Sequence, residues 1–339
     1  MSDVAHPRQN QRLMIALVVI ALVLAASIVA RLLIGESVLG WPGGEYAEYM
    51  QADRITRMLL GMIVGVALSV SGVSLQTLLR NPLAEPYILG LSTGAGAGMM
   101  LQSYLVYLLR GEVSVGTNGG GAVVGAAATM MIVFLAGRRR GVIDPLGLLL
   151  TGVVLSTICG ALILMMNYLV GPGGIRDDIA RWMMGNLDGG AGTVTIYAVA
   201  GLTVLGFALL LLHGKAMDVA SSSDAETMSL GVNLPRLRVV LFAVASLLAA
   251  GAVVLAGPIA FVGLICPHIA RLMLGPSHGP LLVGSAMLGA ALVITADTAS
   301  AGLNLWLGIG LMPIGIFTAI VGGPVFLWML RPQLGRGDV

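Results

Sequence analysis

The sequence predicts an all-α polytopic membrane protein with about ten transmembrane helices. Two observations carry this prediction. Apolar residues make up 57% of the 339 residues and charged residues only 10%, which lies outside the composition of soluble domains. The apolar residues also fall into runs of roughly 20 residues, the length needed to cross a bilayer. We therefore expect a single transmembrane domain over 1–339, with no room for a sizeable soluble domain.

Clusters of charge, proline and glycine divide the chain into ten apolar segments, each of which is a predicted span. The segments are 13–34, 58–79, 87–109, 119–136, 146–170, 193–212, 237–256, 259–274, 281–300 and 313–330. The first is too long for the apolar core of a signal peptide, so we expect it to be retained. The eighth is short and contains Pro267, and we expect a broken or tilted helix there.

The positive charges predict the orientation of the chain. Ten spans put both termini on the same side of the membrane, and twelve of the 18 lysines and arginines fall on that side. They include the cluster from Arg138 to Arg140 in a short loop, where the positive-inside rule holds best. Both termini are therefore predicted to be cytoplasmic.

The glycine pairs predict how helices pack, and the absence of catalytic motifs excludes some classes of function. Among 48 glycines, the pairs Gly61/Gly65 and Gly94/Gly98 are four residues apart, which predicts close helix packing. The sequence contains no G-x-x-x-x-G-K-[ST], so it cannot bind ATP through a P-loop of its own. We predict no catalytic residue, no cofactor and no metal site, since His, Asp and Glu form no cluster in the spans.

The motifs that carry the most information begin with the stretch from Arg54 to Gly98, which contains R-I-T-R, Q-T-L-L-R-N-P-L-A-E-P and G-L-S-T-G-A-G-A-G. Further motifs follow in order: L-L-T-G-V at 149–153, R-W-M-M-G at 181–185, S-L-G-V-N at 229–233, G-P-I-A-F-V-G-L-I-C-P-H-I-A-R at 257–271 and L-M-P-I-G-I-F-T-A-I-V-G-G-P-V-F at 311–326. Together they resemble the permease family of iron-siderophore, haem and cobalamin ABC importers over nearly the whole chain after the first span.

The resemblance implies a type II ABC importer permease in the cytoplasmic (inner) membrane. It would work with two copies of an ATP-binding cassette ATPase subunit, an extracytoplasmic substrate-binding protein and a second copy of itself, in contact with membrane lipid and without nucleic acid. It would translocate ferric siderophore, haem or cobalamin by alternating access along the dimer axis, while the ATPase subunit hydrolyses ATP. The ligand, and the choice between a homodimer and a heterodimer with a paralogue, stay open.

The resemblance also implies a coupling segment at 214–233. In the family this region forms the helices that contact the ATPase, and here A-E-T-M-S-L-G is expected to form a short helix ended by Gly231. The candidate contacts are Asp224, Glu226, Leu230 and Gly231. The alternative is a solvated loop whose charges keep it out of the bilayer.

Arg54 and Arg57 are the candidates for docking the binding protein. They are three residues apart at the predicted outer boundary, so they share one helical face. In the family, arginines of this motif receive glutamates of the binding protein; the alternative is anchoring to lipid headgroups. A third arginine that some relatives carry shortly after D-x-x-[AS] is missing or displaced here, since Asp297 is followed by T-A-S-A. Asp297 itself is expected to have a structural role.

Four polar residues are candidates for the translocation path. By the resemblance, the fifth span borders the path, and it offers Thr151, Ser156 and Asn167; Gln76 in the second span is the fourth. Thr and Ser in a helix more often bond back to their own backbone, so that alternative stays open for Thr151 and Ser156. Asn167 and Gln76 are costlier to bury and are therefore the better candidates.

Two other classes of function are weaker. An ion-coupled secondary transporter would need charged residues near the middle of its spans, and the spans here are almost free of acids and bases. A membrane-embedded enzyme would need clustered His, Asp or Glu. The sequence therefore favours the importer permease.

Overall fold

The computed structural model describes residues 7–110, 119–139, 142–169, 182–187 and 192–334, and these ranges are almost entirely helical. Their twelve α-helices are α1 Pro7–Leu33, α2 Ala47–Leu79, α3 Leu91–Arg110, α4 Gly120–Ala136, α5 Pro145–Leu169, α6 Thr193–Leu212, α7 Gly214–Ala220, α8 Asp224–Ser229, α9 Leu234–Ala256, α10 Val262–Leu274, α11 His278–Leu307 and α12 Ile314–Leu334. A 3-10 helix, Pro86–Leu89, precedes α3. Two short strands, β1 Arg138–Arg139 and β2 Val142–Ile143, pair antiparallel.

Each of the ten longer helices overlaps one of the ten predicted spans, and α2 and α11 extend beyond theirs. Six of them, α1, α2, α5, α6, α9 and α11, are long and apolar enough to cross a membrane, by length and composition. α4 and α10, and α12 over Ile314–Trp328, are shorter apolar helices. The predicted all-helical, multi-pass fold is confirmed.

The eighth predicted span differs from expectation, because α10 is one unbroken helix of 13 residues. Proline lacks an N–H, so Pro267 leaves the carbonyl of Gly263 without its usual partner within the helix. The side chain of Gln76 donates to that carbonyl at 3.3 Å. The predicted break was therefore wrong, since a neighbouring side chain takes over the hydrogen bond that the proline removes. The alternative of a tilted helix stays a prediction.

α2 lies at the centre of the bundle and packs against α9, α10 and α11. Its backbone comes so close to α11 that a Cβ on Gly65 would lie 2.2 Å from the carbonyl oxygen of Gly289. Against α10, a Cβ on Gly72 would lie 1.9 Å from the carbonyl oxygen of Gly263. Only residues without a side chain allow these approaches, as expected for small residues at membrane helix contacts.

The α3–α4 contact uses the second predicted glycine pair. A Cβ on Gly98 would lie 2.1 Å from the carbonyl oxygen of Gly121, and one on Gly94 would lie 1.8 Å from the Thr129 hydroxyl. The predicted close packing at Gly94/Gly98 is confirmed, as it is at Gly61, where a Cβ would lie 3.1 Å from Ile294.

α2 and α11 run antiparallel, which defines the two ends of the bundle. Arg57 of α2 contacts Asp297 of α11 at one end, and Thr77 of α2 contacts His278 of α11 at the other. We call the first the Asp297 end. The second, where α7 and α8 lie, is the Asp224 end.

Candidate functional sites at the two ends of the bundle

The Asp297 end contains a buried group of ions that connects three helices. Both oxygens of Asp297 are paired: Oδ2 lies 2.5 Å from Nε of Arg31 on α1, and Oδ1 lies 2.5 Å from Nη2 of Arg57 on α2. The three side chains are 0%, 4% and 1% exposed for Arg31, Arg57 and Asp297. Buried charges need partners of this kind, so the structural role predicted for Asp297 is supported by its contacts.

Arg54 is also buried, and it holds the loop between α1 and α2. Its guanidinium donates to the carbonyl oxygens of Leu32 and Gly40 at 2.7 Å and of Val38 at 2.8 Å. A Cβ on Gly35 would lie within 2.0 Å of this guanidinium, so the loop folds directly over it. Arg54 therefore fixes the loop through backbone acceptors rather than through an acid.

Glu36 is the accessible acid of this group. Its carboxylate lies 3.7 Å from Nη1 of Arg57, and its side chain is 34% exposed. Burial raises the pKa of Glu36, while the positive charge of Arg57 acts in the opposite direction. Arg57 is thus shared between a buried carboxylate and a solvent-accessible one.

The two predicted docking arginines therefore both lie inside the chain. Docking and lipid anchoring each need a guanidinium that is exposed on the outer surface. Arg54 is instead buried and bonded to the α1–α2 loop, and Arg57 is buried and bonded to Asp297. Their docking role stays a prediction. Arg31 and Glu36 were missed, although an arginine within the apolar first segment was a signal for a buried partner.

The Asp224 end carries the predicted short helix, and this helix is confirmed. Ser223 caps α8 by accepting the N–H of Glu226, and α8 ends at Ser229, with Leu230 as its C-cap. Gly231 then takes a φ of +82°, a left-handed conformation that glycine adopts without strain. Leu230 and Met228 are 62% and 55% exposed, so α8 presents an apolar surface outward beside the exposed carboxylate of Glu226.

Asp224 faces inward, toward two arginines. Its carboxylate lies 2.6 Å from Nη1 of Arg80, which ends α2, and 3.1 Å from Nη2 of Arg238 on α9. Arg80 also donates to the carbonyl oxygen of Ala220, the last residue of α7. These contacts connect both short helices to α2 and α9.

A second set of contacts connects α7 to α11. The carboxylate of Asp218 accepts the backbone N–H of His278 at 2.7 Å and lies 2.7 Å from its Nδ1. The other ring nitrogen, Nε2, lies 2.9 Å from the hydroxyl of Thr77 on α2. Sequence reasoning missed Arg80, Asp218 and His278. Their pairing depends on which helix ends meet, and the spacing of residues along the sequence does not show this.

The candidate path residues have separate environments. Ser156 and Asn167 are about three turns apart on α5 and share a face, and both are partly buried, as is Thr151. Ser156 donates to the carbonyl oxygen of Gly152 at 2.8 Å, which is the back-bonded alternative. Gln76 is buried on α2 between Gly263 and Arg271. Their role in a path stays a prediction.

Two irregular segments meet inside the bundle and were not foreseen. The segment after α2 and the segment between α9 and α10 are joined by two side chains: Tyr87 accepts the N–H of Ile259 through its hydroxyl oxygen at 2.8 Å, and Glu85 accepts the N–H of Phe261. Phe261 has a φ of +70°, unusual for a bulky residue. These contacts satisfy backbone groups that helices would otherwise satisfy.

Within the described part of the chain, no group of three or more His, Cys, Asp or Glu residues could hold a metal ion. Cys159 and Cys266 are both buried and unpaired by any disulfide.

The fold and its two polar ends define a multi-pass α-helical membrane protein. Comparison with family models then gives the particular family: residues 12–332 match the model of the FecCD transport family. Because the match covers almost the whole sequence, the chain belongs to the FecCD transport family.

Individual relatives agree with this assignment. The chain is 34% identical over 280 residues to the hemin transport system permease protein HmuU of Yersinia pestis, covering 83% of this chain and 82% of the relative. It is 36% identical over 281 residues to the cobalamin import system permease protein BtuC of Halobacterium salinarum, covering 83% and 72%. It is 34% identical over 328 residues to the vitamin B12 import system permease protein BtuC of Shigella sonnei, covering 95% and 96%.

A solved structure shares the whole fold. A chain from an inward-facing structure described as a metal-chelate type ABC transporter superposes with a TM-score of 0.80 at 27% identity, covering 93% of this chain and 98% of that chain. The chain is thus a transport component of the ABC class, and an ion-coupled secondary carrier is not favoured.

Proposed function

We propose that this chain is the membrane-spanning permease subunit of an ATP-driven importer for a ferric siderophore, haem or cobalamin. The observation that carries the proposal is the family match over residues 12–332, because relatives of similar length are named for hemin and vitamin B12 transport. The subunit performs no chemistry. A separate ATP-binding cassette ATPase, in two copies, hydrolyses ATP, and a second copy of the permease completes the path.

The proposed orientation follows from charge. The Asp224 end, with Arg80, Arg238 and Arg271 close together, is the cytoplasmic side, since positive residues favour that side. The termini then lie in the cytoplasm and the Asp297 end faces outward in the inner membrane. An extracytoplasmic substrate-binding protein delivers the ligand to the Asp297 end.

Coupling to the ATPase is proposed for 214–233. The exposed side chains of Glu226 and Leu230 supply the contact with the ATPase, and Gly231 ends the helix that presents them. Asp224 has a different role, because its carboxylate forms ion pairs with Arg80 and Arg238. It transmits the movement of α8 to α2 and α9.

Docking of the binding protein is proposed through Arg57, by exchange of carboxylates. A glutamate of the binding protein would replace Glu36, which is half-exposed and 3.7 Å from Arg57, while Asp297 keeps its own contact. Arg54 contributes indirectly, since it holds the loop that carries Glu36.

Substitution of Glu36 tests this exchange. Reversal of charge at Arg57 would place a carboxylate against Asp297 and disturb the fold, so Glu36→Gln is the sharper variant. It should strengthen docking by about two- to fivefold, because a competing carboxylate is removed from a partly exposed pair. Surface plasmon resonance of the permease with its binding protein at low salt measures the effect, and Glu48→Gln, on the same outer segment, is the control. Equal or weaker docking of Glu36→Gln would reject the exchange.

The path is proposed to follow the face of α5 that carries Ser156 and Asn167, with Thr151 nearer the Asp224 end. Gln76 contributes by holding α10 against α2. A large amphipathic ligand moves best along a lining that binds it weakly. Asn167→Leu should therefore change the rate of transport without changing the affinity of the binding protein for its ligand.

Reconstituted transport is the direct test of the function. The permease, its ATPase and its binding protein are placed in proteoliposomes, and uptake of labelled ferric siderophore, haem and cobalamin is measured separately. The expected result is uptake of one of them that requires ATP and is stopped by vanadate. Uptake that continues without the ATPase and collapses with an ionophore would establish the secondary carrier instead.

A further inference from the structure

A cleft opens at the Asp224 end, between the end of α2, the α10–α11 turn and the turn between α7 and α8. Its volume is about 270 Å³. Polar and cationic side chains line it: Gln76, Thr77, Arg80, Ser221, Arg271 and His278. None of these lining side chains is a carboxylate, so the cleft has a positive character that the transport function does not explain.

Arg271 is the cation in this cleft that lacks a counter-charge. Its guanidinium donates from Nη2 to Oε1 of Gln76 at 3.1 Å, and within the described ranges no acid lies within 4.0 Å of it. Gln76 is itself buried and fixed by its hydrogen bond to the carbonyl of Gly263. Its side-chain oxygen therefore holds the guanidinium of Arg271 in a defined position. The remaining donors of Arg271 are free to bind an anion from outside the chain.

The acids near the cleft do not neutralise it. Asp224 is shared by Arg80 and Arg238, so one carboxylate serves two guanidinium groups. Asp218 is taken by the backbone N–H and ring of His278. Both acids therefore have partners of their own, and the positive charge of Arg271 stays uncompensated.

We propose that this cleft binds a phosphate group through Arg271 and Arg80. Guanidinium groups match phosphate because several donors can meet its oxygens at once, and two of them on one cleft favour a dianion or a phosphodiester over a single carboxylate. The hydroxyl of Ser221, at the rim of the cleft, can donate a further hydrogen bond to the phosphate. The ligand is a phosphate-bearing anion, either the headgroup of an anionic phospholipid or free inorganic phosphate.

The surroundings favour the phospholipid as the source. Leu272 is 66% exposed and directly follows Arg271 on α10, and Met273 beyond it is also exposed. An acyl chain can pack on these side chains while the headgroup enters the cleft, which is how basic pockets between membrane helices bind anionic lipids. The bound phosphate would then join α2, α10 and α11 where the coupling segment meets them.

Lipid binding to the purified full-length chain tests the site without depending on the cargo or on the ATPase. The chain is delipidated in neutral detergent and titrated with phosphatidylglycerol or with phosphatidylcholine, and bound lipid is counted by native mass spectrometry. Phosphatidylglycerol should bind in preference, and Arg271→Gln should weaken it about tenfold or more, since a charged hydrogen-bond donor is lost. Arg236→Gln, an exposed arginine outside the cleft, is the matched control and should bind as the unaltered chain does.

A second variant keeps the test decisive if Arg271→Gln does not fold. Ser221→Asp places a carboxylate at the exposed rim of the cleft and should abolish the preference for phosphatidylglycerol, while Arg271, Gln76 and the buried bond to the carbonyl of Gly263 stay unchanged. In a parallel arm, inorganic phosphate is titrated against thermal unfolding at constant ionic strength. A stabilisation by phosphate that Arg271→Gln removes, without lipid preference, identifies free phosphate as the ligand.

Two results would overturn the site. One is equal binding of phosphatidylglycerol and phosphatidylcholine to the unaltered chain, together with no stabilisation by phosphate. The other is undiminished binding in both Arg271→Gln and Ser221→Asp. Either result would show that the positive charge of the cleft has no anionic ligand of this class.

Discussion

Both ends of the bundle join helices through ion pairs, but in opposite surroundings. At the Asp297 end, the ions are almost wholly buried and one carboxylate joins two arginines from different helices. At the Asp224 end, Asp224 and Arg80 are partly exposed to solvent, and their carboxylate–guanidinium pair lies on the surface. The free-energy cost of separating an ion pair therefore differs between the two ends.

Burial of the charged groups sets this cost. A buried charge that loses its partner has no water to replace it, so the Asp297 end can separate only at a large free-energy cost. A half-exposed pair exchanges its partner for water at almost no cost. The Asp297 end is thus suited to hold the helices together, and the Asp224 end is suited to move with a partner.

The largest effect is expected from Asp297→Ala. It leaves Arg31 buried without a carboxylate and Arg57 with only Glu36, 3.7 Å away, and should lower the free energy of unfolding by about 3–5 kcal/mol. Unfolding in mixed micelles with increasing denaturing detergent measures the loss. A triple variant in which Arg31 and Arg57 become Met and Asp297 becomes Leu should recover most of it, since no charge remains buried. If Asp297→Ala unfolds like the unaltered chain, the buried ions do not hold this end.

An intermediate effect is expected where α2 and α11 touch between the two ends. Gly65→Ala would put a methyl group 2.2 Å from the carbonyl oxygen of Gly289, and forcing the helices apart should cost about 1–3 kcal/mol. Gly201→Ala on α6 has no atom within 4 Å of the new methyl group, so it should be neutral or slightly stabilising. The same unfolding assay compares the two, and equal stability of both variants would contradict the close contact.

The sequence predicted the helices well because hydrophobic length is a local property. All ten segments became helices, and the glycine pairs marked true close contacts. The eighth helix was misjudged, because the partner that replaces the missing hydrogen bond of Pro267 is Gln76, far away in the sequence. A local rule about proline cannot include that distant side chain.

The sites were predicted less completely, for a related reason. Arg54, Arg57 and Asp224 were identified from motifs, but the direction in which each side chain points depends on the helix it packs against. Glu36, Arg80 and His278 gave no signal by themselves, since each becomes informative only beside its partner. Tertiary pairing of charges is therefore what sequence reasoning lacked.

The smallest effect on stability, and the sharpest on coupling, is expected from Asp224→Asn. The pairs with Arg80 and Arg238 are partly hydrated, so the free energy of unfolding should change by only about 0–1 kcal/mol. ATP hydrolysis by the reconstituted complex should continue while ligand uptake falls, because α8 is no longer held to α2 and α9.

Glu226→Ala on the same helix separates transmission from contact. Glu226 is exposed and forms no ion pair among the described residues, so its removal should weaken the affinity of the permease for the ATPase, whereas Asp224→Asn should leave that affinity unchanged. Affinity is measured by pull-down of the purified ATPase, and coupling by the ratio of ligand transported to ATP hydrolysed. If Asp224→Asn lowers the affinity as much as Glu226→Ala does, then Asp224 is an ATPase contact and the inward pairs with Arg80 and Arg238 do not transmit the movement.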